Sequence, residues 1–544
     1  MGDKREPVTA VVAQKNSVAN SIKKVFPEYL VTSVAGHIKK LVFKKYNNTP
    51  WLKISLPEVL EDQLIYVNSE FARTSLRNLE VINNCPEFTL ILALDPDQEG
   101  QLIGQHVLSQ FNRSKLKDVY KVNLESLSES GIRKAFSERH KLSGSEGHSA
   151  ELRSRLDLLF GTILSRAVSL DTFSKTKRWT TFNSGRVQTP TLNFVREREL
   201  ERKNFKSELY QMIKIEDNPH IGPLLLPHRF SHLDPLSELE VSHLRSERVT
   251  VPPRLGLNTD SLLSLLASEH AVFKKINTST TGLLSALYLS GKITYPRTDN
   301  NEFNNYKDLL QETALLFERE TSLKAIVPEY PTSSKVSDHS PICPLVLSSL
   351  AETDLEKKVL DTLFNHLKKV YLGPNEYVKH HLSVRISGKE LKFHVLEVIE
   401  KNFEDDLVSS RDVKIPREDN GKFLVPVRVE SRETKPPSQY TSSTLLQKMK
   451  RCGVGTKSTR ATIIENLLKN GYLVYSKNNL NITEKGVYLC SYWSHHWSQI
   501  TSPTLTENIE SMFPITSREV IAEVQKKYKK ELKALIDSIF NRPG

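Results

Sequence analysis

The chain has 544 residues, of which 38% are hydrophobic and 26% charged, and its formal net charge is +12. This length exceeds what one compact core accommodates, so we expect roughly three or four domains. The four cysteines, Cys85, Cys343, Cys452 and Cys490, are scattered and form no C-x-x-C pair. This argues against a structural zinc site and against a secreted disulfide scaffold.

The basic surplus suits a polyanionic partner such as nucleic acid, because neutralised phosphates release counterions. A basic but otherwise ordinary surface is the alternative. The first residues lack the apolar core of a signal peptide, and no run approaches the ~20 apolar residues that span a bilayer. We therefore expect an intracellular protein with no membrane partner.

In chain order, the predicted elements begin with an α/β region. VTAVVA (8–13) and FTLILAL (88–94) are short apolar runs typical of buried strands. The segments that follow are helices over 149–202 interrupted by the turn NSGR, loops and strands over the proline-rich 206–256, helices with the loop ITYPRTDN over 258–300, alternating strands over 372–434, and helices from 440 to the terminus.

Acidic side chains follow the second of these strands in ALDPDQEG. Asp95 and Asp97 stand at i and i+2, so on an extended chain they point to one side and can converge on a cation. Oxygen ligands of this kind suit Mg²⁺, and open α/β sheets bind ligands at this end of their strands. An ordinary solvated acidic turn is the alternative.

The first strand is followed by Lys15, Asn16 and Ser17 at the start of a predicted helix. This order would aim Lys15 and the helix N-terminus at an anion. An ordinary strand–helix turn is the alternative.

The loop GKITYPRTDN (291–300) offers a candidate nucleophile. Tyr295 precedes Pro296, which restricts the backbone of Tyr295, and Arg297 follows two positions on. A tyrosine hydroxyl has a pKa of about 10, so it attacks poorly unless a cation stabilises its charged form. A guanidinium can do this and can also grip a phosphate. A tyrosine packed at a domain edge beside a surface arginine is the alternative.

Taken together, the motifs resemble those of type IA DNA topoisomerases, in the order of that family, from about residue 8 to 530. They are VVAQKNSVA, VTSVAGHI, ALDPDQEGQLIG, LFGTILSRA, NSGRVQTPTLNFVRERE, ITYPRTDN, DHSPICP and YTSSTLLQKMKRCGVGTKSTRATIIENLLKNGYL. SGRVQTPT and GVGTKSTRATIIENL are the most specific of them. DHSPICP is closer to archaeal-type and topoisomerase III-like members than to the bacterial type I enzyme.

The resemblance implies an α+β multidomain fold whose four parts form a toroidal clamp around a DNA-sized hole. The parts are a Toprim α/β domain at 1–147, a winged-helix-like DNA-binding domain at 148–205 and 440–544, a β-rich arch at 206–265 and 371–439, and a winged-helix-like domain carrying the tyrosine at 266–370.

The implied activity is that of an ATP-independent type I DNA topoisomerase. One strand is cleaved through a 5′-phosphotyrosyl intermediate, DNA is passed, and the strand is resealed, which relaxes negative supercoils; decatenation is a further candidate activity. Single-stranded and negatively supercoiled DNA are the expected partners, and RNA strand passage is compatible with the fold. We expect a cytoplasmic, nucleoid-associated monomer, with a helicase as a candidate partner.

The C-terminal zinc ribbons that many relatives append do not follow YKKELKALIDSIF in this sequence. From this we expect weaker processivity and weaker capture of duplex DNA.

The resemblance also assigns catalytic roles. Tyr295 would be the nucleophile, Arg297 would stabilise the phosphate charge, and Lys15 would lie against the scissile phosphate. His339, in DHSPICP, would approach the DNA near the cut.

Binding roles follow in the same way. Asp95 and Asp97 would hold Mg²⁺, with Glu99 supporting the site. The residues expected to contact the single strand are Ser184, Arg186, Gln188, Lys457, Thr459 and Arg460.

The first motif departs from the family at Gln14, where the family has a glutamate that helps to bind the metal and is a candidate acid–base for the 3′-oxygen. Glutamine keeps a carbonyl ligand but removes the charge and the capacity for proton transfer. The chain is therefore an altered variant that traps a DNA complex, a divergent active enzyme in which Glu99 compensates, or a protein that has lost resealing or all activity.

Two neighbouring departures bear on these interpretations. Asn16 replaces a proline and Gln98 an arginine that are usual in the family, and together they favour natural divergence over a single engineered change. The alternative function is a DNA-binding clamp with weak or lost catalysis because of Gln14.

Overall fold

A computed structural model describes residues 8–46, 55–95, 97–142, 147–275, 278–329, 339–403, 413, 415–416, 421–456, 459–515 and 517–540. Lys457, a predicted DNA contact, lies outside the described residues. Within these ranges, no helix is long and apolar enough to cross a membrane.

The N-terminal sheet region, residues 8–142, is built on a five-stranded sheet with the order β2-β1-β5-β6-β7. Its first four strands are parallel, β7 is antiparallel to β6, and β3 and β4 form a separate antiparallel pair. The elements of this region are β1 (Val8–Ala13), α1 (Asn16–Val25), β2 (Leu30–Ser33), β3 (Lys39–Phe43), α2 (Leu56–Glu61), β4 (Leu64–Asn68), α3 (Arg73–Asn83), β5 (Phe88–Ala93), α4 (Gln98–Leu108), β6 (Leu116–Lys121), α5 (Glu129–Ser137) and β7 (His140–Lys141).

The two predicted strands, β1 and β5, are confirmed, and both are buried on their two faces. Ala10 and Val12 pack into one hydrophobic cluster, whereas Val11 and Ala13 pack into another on the opposite face. Parallel strands covered on both sides need apolar residues at every position. This explains why the two runs are continuously apolar and do not alternate.

A second, six-stranded sheet is antiparallel throughout and has the order β12-β11-β10-β13-β8-β9. Its strands are β8 (Leu209–Ile215), β9 (Leu224–Leu225), β10 (Glu238–Val251), β11 (Asn375–Ile386), β12 (Lys389–Glu400) and β13 (Lys422–Glu433). The strands predicted over 372–434 are therefore confirmed.

Alternation along these strands creates a core of their own. In β13 the side chains of Phe423, Val425 and Val427 point inward and the residues between them are exposed. β11 and β12 are joined by Ser387 and Gly388, both with positive φ (48° and 78°), the conformation that a two-residue hairpin turn requires. The pairing of β10 with both β11 and β13 thus joins two distant stretches of sequence, 209–251 and 375–433, in one sheet.

The rest of the chain is mainly helical. Most of it shares one large hydrophobic cluster with a face of the N-terminal sheet, and the residues around Phe317 and Tyr371 form a smaller, separate cluster. The elements are α6 (His148–Thr176), α7 (Gln188–Lys203), α8 (Thr259–Glu269), α9 (Thr278–Leu289), α10 (Lys307–Thr321), α11 (Asp354–Tyr371), α12 (Ser442–Arg451), α13 (Arg460–Lys469), β14 (Leu473–Ser476), β15 (Asn479–Ile482), α14 (Glu484–His496), α15 (Thr504–Glu510) and α16 (Arg518–Phe540).

The prediction that the chain is helical from residue 440 onward is wrong at 473–482, where β14 and β15 form a hairpin. Its two-residue turn places Lys477 at φ 57°. A lysine is not a typical residue for positive φ, so the turn carries no glycine signal that the sequence could have revealed.

Helix α8 crosses the predicted boundary between the arch and the tyrosine-bearing domain at 265/266. Leu262 and Leu266 on either side of that boundary belong to the same large cluster. The helix therefore packs with the helical part of the chain, although the domain boundaries themselves stay a prediction.

The separate core of the antiparallel sheet can be tested through Leu382, which is fully buried (0% exposed) on β11. We expect Leu382→Ala to lower the free energy of unfolding by about 2–5 kcal/mol, through lost burial and a residual cavity. Leu424→Ala on β13 of the same sheet, where the side chain is 61% exposed, should change it by less than about 0.5 kcal/mol. Calorimetric unfolding compares the two, and equal shifts would contradict this packing.

Candidate active site

The candidate site lies where β1 and β5 end side by side. The two strands pair in parallel with Ala13 opposite Ala93, so Gln14 and Asp95 emerge at the same edge of the sheet. Gln14 bridges this edge: its backbone N–H donates to Ala93 O (3.3 Å), and its Oε1 accepts the backbone N–H of Asp95 (2.9 Å). The glutamine side chain therefore fixes the backbone that carries the first carboxylate.

Asp95 is a buried carboxylate, 8% exposed, and its Oδ2 has no hydrogen-bond partner among the described residues. The nearest cation is Lys15 Nζ, 3.8 Å from Oδ2. Lys15 is the residue before α1, and its extended backbone places it at the start of that helix. A buried carboxylate oxygen with spare acceptor capacity is a group that a cation can satisfy.

Asp97 caps the N-terminus of α4, where its Oδ1 accepts the backbone N–H of Gly100 (2.8 Å). Burial raises the pKa of Asp97, and the neighbouring charge of Asp95 adds to this, whereas the Gly100 hydrogen bond and Arg297 oppose it. The two carboxylates therefore lie close enough to repel each other, and Arg297 lies close enough to offset part of that repulsion.

Glu99, the predicted third acidic residue, faces another partner. Its Oε2 is 3.1 Å from His37 Nε2, and both side chains are partly exposed. Among the residues that the structure describes, no three His, Cys, Asp or Glu side chains gather as a metal-binding group. The supporting role of Glu99 stays a prediction, and it would require the side chain to leave His37.

Tyr295 lies in the loop that follows α9 and is 2% exposed. Its ring stacks on the imidazole of His339 (centroids 4.4 Å apart, 22° between planes) and meets the edge of Tyr288 at 5.2 Å. The Tyr295 hydroxyl has no hydrogen-bond partner within the described part of the chain. Burial raises the pKa of this phenol, Asp95 and Asp97 raise it further, and Arg297 opposes them. The phenol is therefore neutral in this conformation.

His339 comes to Tyr295 because two segments pair. The backbone N–H of Thr294 donates to Cys343 O (3.0 Å), and the Thr294 hydroxyl donates to Pro341 O (2.9 Å). The predicted catalytic residues therefore lie in one region. Gln14, Lys15 and Arg297 lie around the carboxylates Asp95 and Asp97, and His339 lies beside the Tyr295 ring. Their catalytic roles stay a prediction.

The predicted DNA contacts of the first helical part are engaged within the protein. Arg186 is 2% exposed; its Nε donates to Asp157 (2.6 Å) and its Nη1 to Glu510 (3.1 Å). Ser184 shares a hydrogen bond with Thr189 (2.9 Å), and Gln188 begins α7 and donates to a backbone carbonyl.

The predicted DNA contacts of the C-terminal part, Thr459 and Arg460, are also hydrogen-bonded within the protein. The Thr459 hydroxyl bonds locally to Thr456 (3.0 Å), and Arg460 donates from Nη1 to Asp260 Oδ2 (2.7 Å). Because Asp260 lies on α8, this ion pair joins the C-terminal helices to the part of the chain that carries Tyr295. The DNA-binding roles of these residues stay a prediction.

Glu125, which no sequence motif indicated, follows β6 at the same edge of the sheet as Asp95. Its backbone carbonyl accepts the N–H of Tyr295 (3.1 Å) and its carboxylate accepts the N–H of Ser340 (3.0 Å). A signal existed in its position: it comes four residues after a parallel strand whose neighbours end in candidate site residues.

Comparison with known proteins places this site in a family. The family model described as DNA topoisomerase matches residues 142–520, and the Toprim domain model matches residues 9–127. DNA topoisomerase 1 of Archaeoglobus fulgidus is 27% identical over 517 residues, covering 91% of this chain and 75% of that protein. DNA topoisomerase 3 of Bacillus cereus is 25% identical over 625 residues, covering 97% of this chain and 82% of that protein.

A solved structure shows the same fold. Full-length topoisomerase I from Thermotoga maritima aligns with a TM-score of 0.72 at 21% identity, over 98% of this chain and 91% of that chain. The likeness covers the mixed α/β architecture as a whole.

The geometry of the acidic edge depends on Gly100. A Cβ at this position would lie 1.9 Å from the carbonyl oxygen of Asp95, so Gly100→Ala must displace the turn, at a cost of about 1–3 kcal/mol. Gly161→Ala in the middle of α6 is the matched control, because nothing lies within 4 Å of its Cβ and alanine should stabilise a helix by about 0.5–1 kcal/mol. Thermal unfolding of both variants should give shifts of opposite sign; a stable Gly100→Ala protein would contradict the close approach.

Proposed function

The chain belongs to the type IA family of DNA topoisomerases, and on that premise we propose that it cleaves one DNA strand with Tyr295, passes DNA through the break and reseals it. The observation that supports this most is the contact of Tyr295 with the edge of the Toprim sheet: its N–H donates to Glu125 O (3.1 Å) at the edge where Asp95 emerges, and Asp95 and Asp97 both raise the pKa of its phenol. These groups come from segments about 200 residues apart in sequence.

The chemistry is two transesterifications. The Tyr295 oxygen attacks a backbone phosphorus, the bond from phosphorus to the 3′-oxygen breaks, and the phenol proton is transferred so that a 3′-hydroxyl leaves. Resealing runs the same bonds in reverse. Because a phosphodiester is exchanged for another at each step, no ATP is required.

Three neighbouring basic residues have proposed roles in this reaction. Arg297 would stabilise charge on the phenolate and the phosphate, as its opposition to the raised pKa of Tyr295 indicates. Lys15, beside Asp95, would bind the scissile phosphate. His339, stacked on the phenol, would hold the ring and approach the DNA.

Mg²⁺ is the metal that the Toprim carboxylates suit. Asp95 offers a buried oxygen without a hydrogen-bond partner among the described residues, and the oxygens of Asp97 lie nearby. When bound, the ion would offset the repulsion between these carboxylates and stabilise charge on a phosphate.

Gln14 limits the catalysis that this site can support. Its Oε1 already accepts the Asp95 amide, and it supplies neither a negative charge nor a transferable proton. The second candidate function is therefore a DNA-binding clamp with weak or lost catalysis.

The clamp itself has four proposed parts, at 1–147, at 148–205 with 440–544, at 206–265 with 371–439, and at 266–370. Helices α12 and α13 followed by the β14–β15 hairpin support a winged-helix-like unit in the second part. Arg186 and Arg460 would contact DNA by exchanging their carboxylate partners for phosphates, which also accept two hydrogen bonds from a guanidinium.

The proposed substrates are single-stranded and negatively supercoiled DNA, with RNA as an alternative. We propose a monomer associated with the nucleoid, and a helicase as a candidate partner. A net charge of +12 supports a polyanionic substrate.

Tyr295→Phe tests the nucleophile. We expect the variant to form no covalent adduct with a labelled single-stranded oligonucleotide on a denaturing gel. Its affinity for that oligonucleotide should change by less than about threefold, because the hydroxyl has no hydrogen-bond partner to lose within the described residues. Tyr210→Phe is the control, since it also removes one phenol hydroxyl but lies on β8 of the antiparallel sheet, away from the site, and it should still form the adduct. Adduct in Tyr295→Phe would remove this residue from its role.

Gln14→Glu tests the altered position through relaxation of negatively supercoiled plasmid over a series of Mg²⁺ concentrations. Restoring a carboxylate that can hold a metal or a proton should raise the rate by at least about tenfold or lower the Mg²⁺ concentration needed. Gln63→Glu, an exposed position of the same region, should behave as the unaltered chain does.

Two outcomes decide between the functions. Topoisomers that stay unchanged at stoichiometric protein, with relaxation appearing in Gln14→Glu, would favour the clamp. Equal rates in the unaltered chain and in Gln14→Glu would show that this position does not limit catalysis.

A further inference from the structure

We propose that Glu125 is a positioning residue that docks the tyrosine loop (291–300) onto the edge of the Toprim sheet. This inference rests on the proposed function, because the docking controls when the phenol and the carboxylates Asp95 and Asp97 stand together.

The backbone carbonyls of Leu124 and Glu125 accept two hydrogen bonds from the segment that carries Tyr295. The Tyr295 N–H donates to Glu125 O at 3.1 Å, and the Tyr288 hydroxyl donates to Leu124 O at 3.1 Å. Both acceptors follow β6, whereas both donors belong to the stretch that ends α9 and begins the tyrosine loop. The two regions are thus joined by hydrogen bonds directly at the nucleophile.

The Glu125 side chain binds the second segment of the same assembly. Its Oε2 accepts the Ser340 N–H at 3.0 Å, and its Oε1 lies 3.6 Å from His339 Nδ1. His339 in turn stacks on the Tyr295 ring. Glu125 therefore binds the Tyr295 backbone with its carbonyl, and with its carboxylate it binds the Ser340 amide, next in sequence to the imidazole that stacks on Tyr295.

The contact between Glu125 and the segment of His339 and Ser340 is largely buried. The Glu125 side chain is about a quarter exposed and Ser340 is fully buried, so the hydrogen bond from the Ser340 N–H to Glu125 Oε2 is partly shielded from water and is stronger than one at the surface. By contrast, the ion pair of Lys134 with Asp308, which joins α5 to α10 across the same boundary, has exposed side chains and contributes little.

Docking has a cost for function as well as a benefit. It brings the phenol to the carboxylates, but it also leaves the phenol 2% exposed, so a DNA strand must enter between the two regions. The contact must therefore break for strands to enter or pass and re-form for cleavage and resealing. Glu125 touches neither the phenol oxygen nor the carboxylates, so its effect acts through the position of the loop.

The test compares Glu125→Ala and Glu125→Gln in the full chain, with Glu129→Gln as the control. Glu129 is an exposed carboxylate four residues away that pairs with Arg133 inside its own helix. Glutamine at 125 keeps an acceptor oxygen for the Ser340 amide but loses the charge beside His339. Hydrogen–deuterium exchange reports the amides of Tyr295 and Ser340 directly.

We expect exchange at these two amides to be about tenfold faster in Glu125→Ala, less accelerated in Glu125→Gln, and unchanged in Glu129→Gln. Exchange in β1 should stay as in the unaltered chain. Unchanged exchange at both amides in Glu125→Ala would overturn the proposal. Faster exchange throughout β1 would also overturn it, because it would assign Glu125 to the stability of the sheet.

A second measurement follows the covalent adduct with the labelled oligonucleotide. A loosened contact should slow resealing several-fold and raise the fraction of adduct, since the cleaved strand spends more time with the regions apart. Resealing as fast as in the unaltered chain would contradict the positioning role. If the unaltered chain forms no adduct, the proposed function fails, whereas the exchange measurement still decides whether Glu125 docks the loop.

Discussion

Repulsion between a buried carboxylate, Asp95, and a half-buried one, Asp97, is the constraint on which this site depends. Asp95 and Asp97 lie at one edge of a parallel sheet because β5 ends there. Their burial reduces the screening of their charges by water. The surrounding groups offset this charge: Lys15 approaches Asp95, the α4 N-terminus binds Asp97, and Arg297 arrives from the tyrosine loop. A phosphate and a divalent cation entering such a site meet charges that are already in place.

The docked tyrosine loop adds a neutral phenol to this charged edge. A phenol beside two carboxylates resists ionisation, so the same arrangement that positions the proposed nucleophile also keeps it protonated. Cationic charge near the phenol reverses that effect. The electrostatics of the edge thus make attack depend on the ions and phosphates that a DNA complex supplies, which limits reaction in their absence.

Parts of this arrangement were predictable from the sequence because they are local. The apolar runs of β1 and β5, the alternation of β13 and the positions of Asp95 and Tyr295 follow from periodicity, strand ends and motif. The β14–β15 hairpin was missed from the local pattern, because its turn places Lys477 at positive φ and contains no glycine. Glu125, and the pairing of Arg186 with Asp157 and Glu510, were missed because these contacts join residues far apart in sequence, and only the packed chain brings them together.

The buried arginines extend the same physical idea to DNA binding. Arg186 and Arg460 each carry a carboxylate partner, and an unpaired guanidinium would be costly to bury. A DNA phosphate can replace a carboxylate because both accept paired N–H donors in one plane. Since Asp260 joins Arg460 to the part of the chain that bears Tyr295, a phosphate that takes Arg460 would also release one link between these parts. Binding of the strand and separation of the regions around Tyr295 would then be coupled through a single exchange of partners.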